Sequence, residues 1–407
     1  MFFGITLPIN PIAMPHSQNQ FSWTKFLSRF IGISLLLIMG FILVFYLSAP
    51  FYTFKQPEQF TGKLIYNPYS HISNKIQKDF SFQMNAHHFA DVLLNGKFRI
   101  NLKHNDSIVY APQSMDVSNF QFIRQFIDSR GDFLNIYRHG YGITNDQQLC
   151  IGARKVVWTD YPFFQNLRHK QDIIDRLLRS SRLVALSDPS ISYSEKELKY
   201  LSGYQLMEFT NVQEESVNSW DLALSNGHRV NLMLSNIEFK GLIINELMLH
   251  SNHLFTKTDS PDAVIQALDQ GSFFSLTRPA TLENSITIRL KSASVERDTF
   301  FVLVEPLAAS FRFIGQDGKL LQKTDSTDLA AYPIQDSDSY VRTEITFYDG
   351  SVIFLNPLSR QKDPEQERQK LYTFNATHTA LMRGVYIVLI MLLLQIIYRW
   401  QVKKIRK

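Results

Sequence analysis

Hydrophobic positions fall into three patterns along the chain, and these divide it. Two stretches are apolar on every face. Phe30 to Phe54 (FIGISLLLIMGFILVFYLSAPFYTF) carries no charge, and its inner part, Ile31 to Ala49, matches the roughly 20 apolar residues that cross a bilayer as a helix. Ala380 to Tyr398 (ALMRGVYIVLIMLLLQIIY) is interrupted only by Arg383 near its start, which can snorkel to the interface, and by Gln395 near its end. Both read as transmembrane helices, because a soluble helix of this length keeps a polar face. Trp23, Tyr398 and Trp400 on one side, with Tyr52 and Phe54 on the other, read as interfacial belts.

The middle has ordinary globular patterning. Ile173, Ile174, Leu177 and Leu178 have the 3,4 spacing of an amphipathic helix, and Leu183 to Leu186 follows as a short buried strand. Ser194 with Glu197 three residues on is a capping box that opens a helix running to Leu201. Strands at Tyr204 to Phe209, Arg229 to Leu234 and Ser272 to Leu276 alternate with helices at Trp220 to Ser225 and Pro261 to Leu268. That rhythm predicts an α/β domain with parallel strands. After Pro279 the period becomes two. Ile286, Ile288 and Leu290 alternate, Thr299 to Val304 is a buried strand, and Asp317-Gly318 and Asp349-Gly350 mark turns between further strands. A small antiparallel β module is expected there. Asp363-Pro364-Glu365 predicts a helix start leading toward the second apolar stretch.

Composition changes the picture in two ways. With 45% hydrophobic residues and one cysteine, Cys150, the chain is neither disordered nor a disulfide-stapled module, and a cysteine-based zinc site is excluded. Cys150 lies in an apolar QLCIGA context with no local base and reads as inert core. The formal charge of +5 resides at the ends: residues 1–29 hold Lys25 and Arg29, residues 399–407 hold Arg399, Lys403, Lys404, Arg406 and Lys407, and neither has an acid. Those seven charges leave −2 for residues 30–398. By the positive-inside rule both ends are cytoplasmic and the middle extracytoplasmic, in a plasma (inner) membrane. No stretch shows the clustered Lys and Arg with interleaved aromatics that nucleic acid requires. Gly-rich phosphate loops, Gly-x-Ser-x-Gly and His-Glu-x-x-His are absent as well.

The fragments YRHGYG (Tyr137 to Gly142), QLCIGA (Gln148 to Ala153), WTDYPFFQ (Trp158 to Gln165), KQDIIDRLL (Lys170 to Leu178), LVALSDP (Leu183 to Pro189), LMEFTN (Leu206 to Asn211), WDLALSNG (Trp220 to Gly227), AVIQALDQGSFF (Ala263 to Phe274), SYVRTEI (Ser339 to Ile345) and LNPLSR (Leu355 to Arg360) occur in that order. In order and spacing they resemble a bacterial branch of the polymerase and histidinol phosphatase (PHP) superfamily, over roughly Tyr66 to Arg360. The resemblance implies a distorted seven-stranded (β/α) barrel that hydrolyses phosphoesters with divalent metals at the C-terminal ends of its strands. Such chemistry needs several His and carboxylate ligands in one pocket.

This chain departs from the family at those positions. The expected His-x-His is missing from FSFQMN (Phe80 to Asn85), and His87 and His88 are adjacent, so on a strand they would face opposite ways. Arg138 stands where the family has a metal-bridging acid. Asp188 replaces the histidine of Ala-His-Pro, and the late Asp-x-His corresponds to the stretch from Ser235 to Phe239, which contains Glu238. Glu208 and Asn211 match a position that supports the barrel. The candidate site is therefore a degenerate pocket of Arg138, His139, Asp188 and Glu238, with no catalytic or metal-ligating residue assigned. Arg138 with His139 would form an anion pocket, or Arg138 would pair with an acid such as Asp188. A plug of Phe80, Phe82 or Phe239 would mark a binding module.

The expected architecture is α/β: a cytoplasmic tail (1–29), a first transmembrane helix (30–54), an extracytoplasmic PHP-like barrel (55–281), a β-rich module (282–360), a charged linker or helix (361–379), a second transmembrane helix (380–398) and a basic tail (399–407). The expected function is that of a membrane-tethered, catalytically inactive binding or scaffolding module in the cell envelope. It would have a protein partner and no cofactor. The alternative is a divergent phosphoesterase that uses a divalent metal on an envelope phosphate ester.

Overall fold

In the computed structural model the first apolar helix, α1 (Trp23–Leu47), stops short of Pro50, whose missing N–H and ring cannot continue a helix. The expected span of 30–54 is thus shortened, and Tyr52–Phe54 becomes a strand, β1. The structure describes residues 23–47, 49–70, 76–80, 83–85, 98–101, 133–140, 146–161, 163–210, 212, 214–238, 250–256, 261–279 and 288–405. His87, His88, Phe82, Asn211 and Phe239 lie outside them.

The chain divides into two compact units, 1–48 with 377–407, and 49–376. The first holds α1 and the last helix, α7 (Ala376–Ile405). Residues Ala376–Ile396 are long and apolar enough to cross a membrane, and 11% of that stretch is buried, unlike the core helix of a soluble domain. The apolar run within α1 is shorter, Phe30–Ile42. Among the described residues, one of the two expected spans therefore has membrane-crossing length. Gly40 faces the Leu393 side chain, so the two helices meet where one lacks a side chain.

The second unit, 49–376, contains two main sheets. In the first, β5 (Phe98–Asn101), β6 (Phe133–His139), β7 (Gln148–Ile151), β8 (Leu183–Ser187), β9 (Leu206–Phe209) and β10 (Asn231–Leu234) lie in chain order across the sheet. Only β8, β9 and β10 are parallel; β5 to β8 pair antiparallel. The parallel pattern expected of the α/β domain does not extend to β6 and β7, because eight residues separate them, too few for a crossover helix. Helices α2 (Leu167–Ser180), α3 (Pro189–Ser192), α4 (Glu195–Tyr200) and α5 (Glu214–Ser225) fill the connections from β7 through β10. The Ser194 and Glu197 capping box is present at α4, each side chain bonding the other residue's N–H.

The second sheet has nine antiparallel strands. Its path runs β14 (Arg289–Glu296), β15 (Thr299–Ile314), β17 (Tyr340–Phe347), β18 (Val352–Gln361), β13 (Phe273–Thr277), β12 (His250–Thr256), β3 (Ile76–Phe80), with β16 (Leu320–Pro333) on β15 and β2 (Leu64–Tyr66) on β18. Strands from both sides of the expected 281/282 boundary thus share one sheet, and the two expected domains form one compact unit. Alternating Phe300, Val302 and Val304 and then Phe311 and Phe313 bury one face of β15 in its core. A second core joins Leu149, Ala185, Leu206 and Met233 of the first sheet to Leu254 and Phe273 of the second and to Leu268 on α6 (Pro261–Gln270). Two short strands, β4 (Gln83–Asn85) and β11 (Asn236–Glu238), pair in parallel apart from both sheets.

Among the described residues the first sheet does not close into a barrel, and the reason lies at its edge strand. The outer edge of β10 meets side chains instead of another strand. Asn356 accepts from the Leu232 N–H at 2.9 Å, Ser275 donates to the Leu232 carbonyl at 2.9 Å, and Asn252 bonds both the N–H and the carbonyl of Leu234 at 3.0 and 2.8 Å. All three side chains are buried in the second sheet. An edge strand in the interior must satisfy its backbone groups, and here amides and a hydroxyl do so.

The helix expected from Asp363 does not form. Residues 362–371 run as turn and extended chain into β19 (Tyr372–Phe374), which pairs antiparallel with β1. Tertiary contacts override the local signal. Arg368 grips Asp269 at 2.7 Å, Gln369 reaches the Gly227 carbonyl at 3.2 Å, and the Leu371 N–H donates to Ser202 at 3.1 Å. The β1 and β19 ribbon is held on α2 by Asp175, which accepts from both Tyr52 and Tyr372.

His228, behind α5, supplies a pH test. It is buried, donates from Nε2 to the Lys199 carbonyl at 2.9 Å, and stacks near Tyr204. Burial pushes it down to about 4, against an ordinary 6.5. Between pH 6.5 and 4 the unfolded chain binds a proton that the folded one refuses, so stability falls as pH falls through that window, by about 3 kcal/mol in total. In thermal melts at pH 7 and pH 4.5, His228→Gln should show the smaller drop between the two conditions by most of that amount.

Candidate functional site

Strands β6, β8, β9 and β10 point the same way, so their C-terminal ends and the start of β7 share one edge of the first sheet. That edge gathers Arg138, His139, Gln147, Gln148, Ser187, Asp188, Glu208, Thr210 and Ser235. Ligands of α/β folds typically bind at the C-terminal ends of strands.

Strand alternation decides which of these meet. Arg138 is in register with Leu149, and onward with Ala185 and Leu206, so it shares a face with Ser187 and Glu208 two residues along their strands. The Arg138 guanidinium pairs with Glu208 through Nη2 and Oε1 at 2.9 Å and donates from Nη1 to Gln147 at 3.0 Å. The second oxygen of Glu208 accepts from the Ser187 hydroxyl at 2.5 Å. Glu208 is 0% exposed and Arg138 9%. With two strands between them, the pair spans the face of the curled sheet.

His139 faces the other way. Its Nε2 lies 3.0 Å from the Thr159 carbonyl and its Nδ1 2.9 Å from the Gln148 amide, which donates to Tyr193 at 2.7 Å. Beyond Tyr193 the Lys170 ammonium is held by Asp146 at 3.0 Å and Glu197 at 2.9 Å, all buried or nearly so. Burial pushes the Tyr193 hydroxyl well above its ordinary pKa. Arg138 and His139 therefore do not share an anion pocket, because neighbours on a strand point to opposite faces.

Asp188 follows β8 in a left-handed conformation, φ 40°, which costs a residue with a Cβ about 1–2 kcal/mol. Its carboxylate is fixed by the Thr210 N–H at 2.8 Å and the Thr210 hydroxyl at 2.8 and 2.9 Å, and its own N–H donates to the Glu208 carbonyl at 2.8 Å. The acid that neutralises Arg138 is thus Glu208 and not Asp188. Glu238 is placed by its backbone at the end of β11, opposite Asn85 on β4. Ser235, between β10 and β11, is fully buried, and its hydroxyl has no hydrogen-bond partner among the described residues. Cys150, mid-strand on β7, is sealed, and burial pushes its thiol up to about 12.

As placed, these side chains do not converge on one point as a divalent metal cluster would require. Glu208 spends one oxygen on a guanidinium and the other on a hydroxyl, Asp188 is spent on Thr210, and His139 is on the opposite face. A cation beside Arg138 would meet a like charge at short range. Among the described residues no group of three His, Cys, Asp or Glu side chains converges.

Sequence reasoning missed the Lys170 cluster and Thr210. Nothing in the spacing of Asp146, Lys170, Tyr193 and Glu197 joins them before the fold does.

No family model matches the chain, and no curated protein matches it. Among solved structures it is similar to a two-domain protein containing a predicted PHP-like metal-dependent phosphoesterase from Bacteroides vulgatus, at 10% identity and a TM-score of 0.32, over 74% of this chain and 99% of that one.

Proposed function

We propose that the protein is a membrane-tethered, PHP-like module of the cell envelope that binds a partner without hydrolysing it. The observation that carries this reading is the Arg138 and Glu208 ion pair, which occupies the strand ends where the resembled family places metals. An internal salt bridge supplies at Glu208 the positive charge that a metal would otherwise supply. The phosphoesterase reading would require Arg138 to leave Glu208.

Two transmembrane helices, with 49–376 outside and both ends inside, complete the proposal. Residue pairs 52 with 374 and 54 with 372 bring the first and last strands of 49–376 to one place, as a domain hung from one side of a membrane requires. Both flanks are basic. Cys150 is buried, which leaves the chain silent to thiol reagents for a labelling test. In intact cells an impermeant maleimide should label Lys196→Cys and spare Lys404→Cys until the membrane is opened. The reverse pattern, or equal labelling of both, contradicts the topology.

A further inference from the structure

Far from the strand ends, the segment between β18 and β19 folds over the start of β10 and leaves a shallow cleft open to solvent. Its lining includes Arg229, Arg360 and Arg368 against one acid, Glu367, which is exposed. The three guanidinium groups are unequally neutralised. Arg368 pairs with Asp269 at 2.7 Å and bonds the carbonyls of Asp269 and Arg229. Arg360 donates to the carbonyls of Asp338, Gly62 and Gln335, all uncharged, and its nearest carboxylate, Asp336, is fully exposed at 3.6 Å. Arg229 lies over the Tyr66 ring at 5.1 Å and has no carboxylate partner among the described residues. Burial, together with repulsion from Arg229, lowers the Arg368 pKa against the pull of Asp269.

Gathering like charges around a half-closed space is unfavourable unless something of opposite sign enters it. A lining residue also carries an unsatisfied group: the Gln361 side-chain oxygen is buried without a hydrogen-bond partner among the described residues. A side-chain amide can present its oxygen to a ligand hydroxyl or turn its nitrogen to an anion oxygen. Guanidinium forks match the oxygens of a phosphate group bidentately. We propose that this cleft binds the phosphate group of a small phosphorylated ligand, with Arg229 as the donor left free for it and Gln361 as its neighbour. The site is independent of the Arg138 region and stands whether or not that region is catalytic.

The test is calorimetric titration of inorganic phosphate into the full chain in phosphatidylcholine nanodiscs. Saturable binding is expected, weakened about 10-fold or more in Arg229→Gln, as loss of a charged hydrogen-bonding group predicts. Arg229→Lys, which keeps charge but not the fork, should fall between the two. Gln361→Met, close in shape, should also weaken binding and controls for a misfolded Arg229 variant. Nanodiscs containing phosphatidic acid separate the sources: a lower apparent phosphate affinity there assigns the cleft to a lipid headgroup, and an unchanged one to a soluble phosphate. Absence of saturable binding, or equal binding by wild type, Arg229→Gln and Gln361→Met, overturns the proposal.

Discussion

Glu208→Ala should lower the stability of the protein by about 3–5 kcal/mol, the cost of removing one partner of a buried ion pair. Glu208 is fully buried and accepts from Arg138 and Ser187 at once, so one truncation removes an acceptor from both. In thermal melts of the detergent-solubilised chain the midpoint should fall on the order of 10 °C. The double variant Arg138→Met with Glu208→Met removes both charges and should recover most of that loss, because a buried pair replaced by apolar side chains is often neutral. If Arg138 were instead a free cation awaiting a ligand, Glu208→Ala would leave the melt nearly unchanged.

A second loss of similar size is expected at Asp221. This residue on α5 takes a bidentate fork from Arg342 on β17, both bonds at 2.6 Å, and accepts from Tyr340 at 3.1 Å. The remaining arm of Arg342 meets Glu344 at 2.5 Å, and its guanidinium lies 5.3 Å from the Trp220 ring. Burial works against the charge of Arg342, and the hydrogen bonds and charges of Asp221 and Glu344 outweigh it, holding its pKa above the ordinary value. The cluster fastens α5, which serves the first sheet, to the second sheet. Asp221→Ala should cost about 3–5 kcal/mol. Arg342→Lys should lie between wild type and Asp221→Ala, since an ammonium keeps the charge and loses the fork. Thermal melts followed by Trp220 emission would read both. A melt of Asp221→Ala indistinguishable from wild type would mean that this cluster does not hold the two sheets together.

Much of the local structure was legible in the sequence because it is written in local terms. The 3,4 spacing of Ile173, Ile174 and Leu177 gives α2, the Ser194 and Glu197 box gives α4, and Asp349-Gly350 separates β17 from β18. The sheets were not legible in this way. β12 and β13 lie in the chain among the α/β elements yet pair into the antiparallel sheet, and only their partners β3 and β18 reveal it. The side chains that seal β10, Asn252, Ser275 and Asn356, come from three separate strands and have no common spacing. At Asp363-Pro364-Glu365 a sound local helix signal lost to the contacts of Arg368, Gln369 and Leu371.

The candidate site was legible in its parts. Arg138, Asp188 and Glu208 were each identifiable, and burial of Arg138 beside an acid was one expectation. The choice of Glu208 over Asp188 depends on the register of β8 with β9 and on the left-handed turn at Asp188, which aims its carboxylate at Thr210. The separation of His139 from Arg138 follows from strand alternation once both are placed on β6.

If the internal ion pair of Arg138 and Glu208 stands in place of metals, the purified protein should carry none. Elemental analysis of the full-length chain, after growth with zinc, manganese and iron, alongside a phosphatase assay with and without a chelator, tests this most directly. Far less than one metal per chain and no chelator-sensitive turnover are expected. One or more tightly held metals per chain, with turnover that the chelator abolishes and the metal restores, would contradict the ion-pair reading.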